Sequence, residues 1–190
     1  MNIEKLIQAA SYILSKYKNP LEYIKLIKIL YLADRESMGK TGYSITGDNY
    51  VSMKNGPVLS ALYDLIKNRF KNKPEQYYWN SKFATSGFTI QKICPFIPDG
   101  LLSDGEIEIL DETDKKFHRA SYSDMINFVH NAKNCPEWRY TESSLPISRI
   151  DILRSQGFSD EEIQTVIQEE QRYRNESELL DSIPETIAAE

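Results

Sequence analysis

The spacing of apolar residues along the chain predicts a helical protein. Ile3, Leu6, Ile7, Ala10, Ile13, Leu14 and Tyr17 recur at i, i+3, i+4 and i+7, which lines one face of a helix over about residues 2–17. Asn19-Pro20 then reads as a cap with proline at the first helical position, opening a second helix to about Met38 and ending at Gly39. Its centre, Leu26-Ile27-Lys28-Ile29-Leu30-Tyr31-Leu32-Ala33, is apolar nearly all round, so neighbours should bury it on most sides. The pattern becomes turn-rich from Gly42 to Gly56. Tyr43-Ser44-Ile45 and Tyr50-Val51-Ser52-Met53 are expected as two short strands, with Pro57 starting a third helix that carries Val58, Leu62, Leu65 and Ile66.

Residues 74–102 are the least helical in pattern. Phe83-Ala84-Thr85 and Phe88-Thr89-Ile90-Gln91-Lys92-Ile93 flank Ser86-Gly87, a hairpin signal. Ser103 with Glu106 is a capping box for a fourth helix to about Phe117. Ser121 or Ser123 caps a fifth through Asn131, residues 134–149 read as irregular, and Ser159 with Glu162 opens a last helix to about Arg174. The expected fold is therefore mainly α: a compact domain of five or six helices around a buried central one, with one or two small β-hairpins. Residues 1–145 are expected to form that domain, and 146–190 a helical extension with an acidic tail.

Length and composition fit one ordinary globular domain. The chain has 190 residues, 41% hydrophobic and 27% charged. Two cysteines, Cys94 and Cys135, are too few for a secreted disulfide scaffold. The N-terminus lacks the apolar core of a signal peptide, and the longest apolar run falls far short of a membrane span. These features point to a cytoplasmic protein with reduced thiols and no membrane partner. The net charge of −5 gives no general attraction to nucleic acid. Its distribution is uneven: 14 basic against 8 acidic residues up to residue 100, then 9 against 20.

No motif of known chemistry stands out. Cys94, His118, His130 and Cys135 are the right ligand types for zinc, but they lack paired spacing and fall on four elements. A Cys–His nucleophilic pair has no local signature either. There is no G-x-G-x-x-G, P-loop or H-E-x-x-H. Asp104 and Glu106 are explained by capping and the helix dipole, and the basic run Lys67 to Lys73 by a solvated helix end. No cofactor, no metal and no enzyme activity are expected, so a metal-dependent or Cys-His hydrolase stands only as the contrasting alternative. Lys28 is the most informative residue. A lysine inside an apolar run is costly to bury unless paired, so it either meets a carboxylate or carbonyls, with Asp34 and Asp64 the nearest carboxylates, or snorkels to solvent.

Three segments together resemble the SocA-like Panacea antitoxin family, many of whose members are phage-associated. They are Lys25 to Asp34, including Lys28, Tyr31 and Asp34; Asn55-Gly56-Pro57-Val58 with Leu62-Tyr63; and His130 with Trp138. The resemblance spans roughly residues 3–140. It implies a compact helical domain with a small β element that acts as the antidote of a toxin–antitoxin pair, silencing a cognate toxin protein by direct binding. It also implies an alternative, an adaptor that delivers its toxin to the ClpXP protease. It brings no catalytic residues, and leaves open a homodimer or a heterotetramer with toxin. Two surfaces are expected to meet the partner. One is the loop bearing Tyr43, Tyr50 and Asn55, since Tyr-rich loops suit hot spots. The other is the acidic segment beyond residue 159, with Glu169, Glu170, Glu176 and Glu178, which suits a basic cleft.

Overall fold

A computed structural model describes residues 1–181, with side chains for 1–172 and Asn175. Its elements, in chain order, are α1 (Ile3–Ser15), β1 (Leu21–Glu22), α2 (Tyr23–Thr41), β2 (Tyr50–Met53), β3 (Gly56–Leu59), α3 (Ser60–Ile66), α4 (Lys73–Lys82), β4 (Phe83–Ser86), β5 (Thr89–Lys92), α5 (Asp104–Phe117), α6 (Tyr122–His130), β6 (Leu145–Ile147), α7 (Arg149–Ser155) and α8 (Asp160–Asp181). The fold is mainly helical, as expected, but the described residues hold eight helices rather than five or six. α4 and α7 account for the difference. Each is short and buries only two side chains, Gln76 and Trp79 in one and Ile152 and Leu153 in the other, too few to print a helical period.

α2 is the axis of the molecule. α1, α3, α5, α6 and α7 all pack on it, and Leu26, Ile29, Leu30, Tyr31 and Ala33 are fully buried. Its start differs from the expectation at Asn19-Pro20. Leu21 and Glu22 instead pair with Ile90 and Thr89 of β5, and the Tyr23 N–H donates to the Phe88 carbonyl at 3.0 Å. The hairpin thus satisfies a helix-start donor that no side chain caps. Its end lies three residues past Gly39, at Gly42, whose φ of +82° gives the left-handed cap. A side chain at Gly42 would also meet Val166 Cγ2 at 2.8 Å.

Two three-stranded antiparallel sheets flank this axis. One has the order β1-β5-β4 and contains the expected hairpin across Ser86-Gly87; the other has the order β3-β2-β6. In the second sheet Tyr50 pairs with both Leu59 and Ile147. Tyr43 to Ile45 is not a strand. The partner of β2 is β3, which contains Pro57, so that proline is a strand residue and not the start of α3. Proline is tolerated there because β3 is an edge strand, where a missing N–H costs no ladder bond. β6 crosses residue 145 and ties the segment after it to the domain. α8 begins at the expected capping box, Ser159 with Glu162, and runs to Asp181 rather than Arg174. It docks through Ile163 and Val166.

Candidate functional site

The family-motif residues converge on one side of α2, around β3 and the loop before β2. Asp34 is fully buried. Its Oδ1 accepts from the N–H groups of Ile45 and Thr46, and its Oδ2 from Thr46 Oγ1 and Tyr50 Oη, at 2.5 to 3.0 Å. One carboxylate therefore fixes the turn where a strand was expected. Burial pushes its pKa up to about 6, against the pull of those hydrogen bonds. Asp48 does the same for the next element. It accepts from the N–H groups of Ala61 and Leu62 at 2.9 Å and so serves the open start of α3 from a distance. Sequence reading missed Asp48, because its capping partners lie thirteen and fourteen residues on.

Lys28 is 1% exposed. It does not snorkel, and it meets neither Asp34 nor Asp64. Its ammonium donates to the Pro57 carbonyl at 2.6 Å, the carbonyl alternative to a carboxylate partner. Burial lowers its pKa to about 7. Gly56 makes this approach available. Its φ is +99°, and a Cβ there would lie 2.5 Å from Val129 Cγ2 and 2.9 Å from Lys28 Nζ. Only glycine fits such a backbone with such neighbours.

Beside this pair, His130 stacks on Trp138 with ring centroids 4.0 Å apart and planes within 8°. Trp138 Nε1 donates to the Met53 carbonyl at 3.0 Å, linking the segment after α6 to β2. His130 Nε2 is buried without a hydrogen-bond partner among the described residues. Burial and the nearby Lys28 charge hold its pKa below the usual histidine value. On the same face of α2, one turn and two turns on from Lys28, Tyr31 Oη and Arg35 Nε both donate to Glu137 Oε1, at 2.5 and 2.9 Å. Glu137, whose side chain is fully buried, was not foreseen. Nor was Lys25, which donates to the carbonyls of His118 and Ala120 and so caps the C-terminal end of α5.

Lys28 also lines a cavity of about 120 Å³, together with Tyr23, Ile24, Ile27, Met53, Lys54, Asn55, Gly56, Val58 and Tyr63. Asn55 sits exposed at its mouth. Among the described residues no group of three or more His, Cys, Asp or Glu gathers as for a metal. His118 Nδ1 faces Asp114 at 3.0 Å and Cys94 Sγ faces the Phe96 carbonyl, so the four zinc candidates are not brought together.

The expected partner surfaces are placed as follows. Tyr50 is 5% exposed, with its hydroxyl on Asp34. Tyr43 Oη donates to Glu169 Oε2 at 3.0 Å. Arg149 pairs with Glu170, bonds the Gly42 carbonyl and lies over the Tyr43 ring. The loop and the start of the acidic segment are thus packed on each other. The side chains of Glu176 and Glu178, and residues 182–190, lie outside the described residues. No described helix is long and apolar enough to cross a membrane.

No curated protein and no solved structure matches the chain. A family model does match, over residues 26–139, which takes in α2 from Leu26 onward, the hairpin at Gly56, and the stacked His130 and Trp138. The chain belongs to the SocA-like antitoxin family, as a Panacea-domain protein.

Proposed function

We propose that this protein is the antitoxin of a toxin–antitoxin pair and neutralises its cognate toxin by direct contact. The observation that carries the reading is the family match over residues 26–139. The geometry agrees with it. Buried polar groups on α2 are spent on holding loops in place: Asp34 on residues 45–50, Lys28 on β3, Tyr31 on the segment of Glu137. Such an arrangement presents a rigid surface, which lowers the ordering cost of binding.

The test is co-expression of this chain with each reading frame flanking its gene. One of those frames should arrest growth alone and be tolerated with the chain present, and the two products should purify as a stoichiometric complex. The same rescue in a host lacking ClpXP separates direct neutralisation from delivery to the protease. Rescue that persists supports direct contact; rescue that disappears makes the protein an adaptor. Toxicity from neither frame would overturn the reading.

A further inference from the structure

We infer that the cavity over Lys28 is a recognition pocket for an acidic side chain presented by the partner protein. The inference deepens the antitoxin reading and rests on it. The cavity has the Lys28 amine at its base and the Lys54 ammonium at its mouth, and among the described residues no Asp or Glu lines it. The Lys28 ammonium makes a single hydrogen bond among the described residues, to Pro57, so it retains donors for an incoming acceptor. Lys54 holds Glu142 at 3.2 Å on the surface, where both side chains are more than 60% exposed, so that pair exchanges readily for another carboxylate. Two further cations lie nearby. Lys67 donates to Tyr23 Oη at 2.6 Å, and Arg69, which pairs loosely with Asp64 at 3.6 Å, lies over the ring of Tyr63.

Size decides between a side chain and a free ligand. About 120 Å³ is a few water volumes, well under the roughly 300–1,000 Å³ of small-molecule sites. It suits the end of one side chain whose backbone stays outside. The rim offers what the flanking residues of such a chain need. Tyr63 is half-buried beside the mouth, and Phe88, 73% exposed, stacks on Tyr23 with centroids 6.4 Å apart. Tyrosines are enriched at binding hot spots, so Tyr63 beside the pocket suits such a contact. The buried lysine also explains the specificity such a pocket would have. A neutral side chain brings the ammonium no counter-charge, whereas a carboxylate pairs with it.

Two arms test this. In the first, amide NMR spectra of the full chain are recorded at pH 6.0, where Lys28 carries its proton, during titration with sodium acetate, and with sodium chloride at equal ionic strength. Acetate should give saturable shifts at Asn55, Gly56 and Val58 that chloride does not, and Lys28→Met should abolish them. Identical responses to the two salts would overturn the pocket. In the second, the toxin found by co-expression is titrated against Lys54→Glu and against Lys54→Met. The reversed charge should weaken binding by about tenfold or more, with the neutral variant between, and with thermal midpoints unchanged. Unaltered affinity in both variants would overturn the pocket as the toxin contact even if acetate binds. The arms fail separately. If no flanking frame is toxic while acetate still binds at Lys28, the antitoxin reading falls and the toxin is removed as the source of the carboxylate.

Discussion

The Tyr43 hydroxyl donates to Glu169 Oε2 at 3.0 Å, across 126 positions of sequence. With Arg149 against Glu170 and Val166 against Gly42, this contact docks α8 on the end of α2. Gly42 is the sensitive point of that joint. Its φ of +82° disfavours any other residue, and a Cβ there overlaps Val166. Gly42→Ala is therefore expected to cost about 1–3 kcal/mol, and to raise hydrogen exchange in residues 160–172 more than in α2. Uniform exchange across the chain would show that the helix does not depend on this contact.

Tyr43→Phe removes only the hydroxyl from a partly exposed pair. The expected cost is about 0.5–1.5 kcal/mol, read by urea denaturation. A larger loss would mean that Glu169 is not screened by solvent in the way its position on α8 indicates.

Leu30 is fully buried at the centre of α2. Leu30→Ala should destabilise by about 2–5 kcal/mol, the range for large-to-small changes in a packed core. Unchanged thermal stability would remove α2 from the centre of the fold.

That placement was legible in the sequence because an all-round apolar run has only one explanation in a chain of this size. The capping boxes at Ser103 and Ser159 were legible for a similar reason, since donor and acceptor lie three residues apart, while the cap of α6, open between Ser121 and Ser123 in the sequence, falls to Ser121 with Asp124. What escaped were features whose cause is remote. Pro57 looked like a helix start, and only its pairing with Ser52 makes it a strand residue. Tyr43 to Ile45 alternates like a strand, but Asp34 supplies the acceptors that a neighbouring strand would have offered. Tyr50 looked like an exposed hot-spot residue, and the same carboxylate draws it inward. α4 did leave one local trace: Asn72 accepts from the Glu75 N–H, with Pro74 in the first turn. In the site itself, Lys28, Gly56 and Pro57 were marked by residue type, whereas Glu137 and Asp48 carried no signal apart from their distant partners.

Gly56→Ala probes the closest approach in the site. The new methyl would meet Val129 and the Lys28 ammonium on a backbone of φ +99°. The expected cost is about 2–4 kcal/mol from strain and overpacking together. The double variant with Val129→Ala should recover part of it. No recovery would place the cost in the backbone and the Lys28 contact rather than in Val129.

The last expectation concerns pH. The pKa of Lys28 falls from 10.5 to about 7 on folding because burial disfavours the ammonium. Below pH 7 both folded and unfolded chains carry the proton, and the full penalty of the buried charge is present. Between pH 7 and 10.5 the unfolded chain binds more protons than the folded one, so stability rises with pH, by at most about 1.4 kcal/mol per unit. The groups facing Lys28 do not reverse this sign over pH 7–9. His130 titrates below its ordinary value of 6.5, and burial pushes the Cys135 thiol up to about 12. Since the unfolded thiol begins to ionise near pH 9, the upper end of the window should flatten. Urea denaturation of the wild type at pH 7.0, 7.5, 8.0 and 8.5 should show the rise. Lys28→Met should leave the Pro57 carbonyl without its donor, at about 1–3 kcal/mol, and should remove the slope. A wild-type stability that is level or falling from pH 7 to 8.5 would mean that Lys28 stays protonated in the folded protein, held by more than one carbonyl.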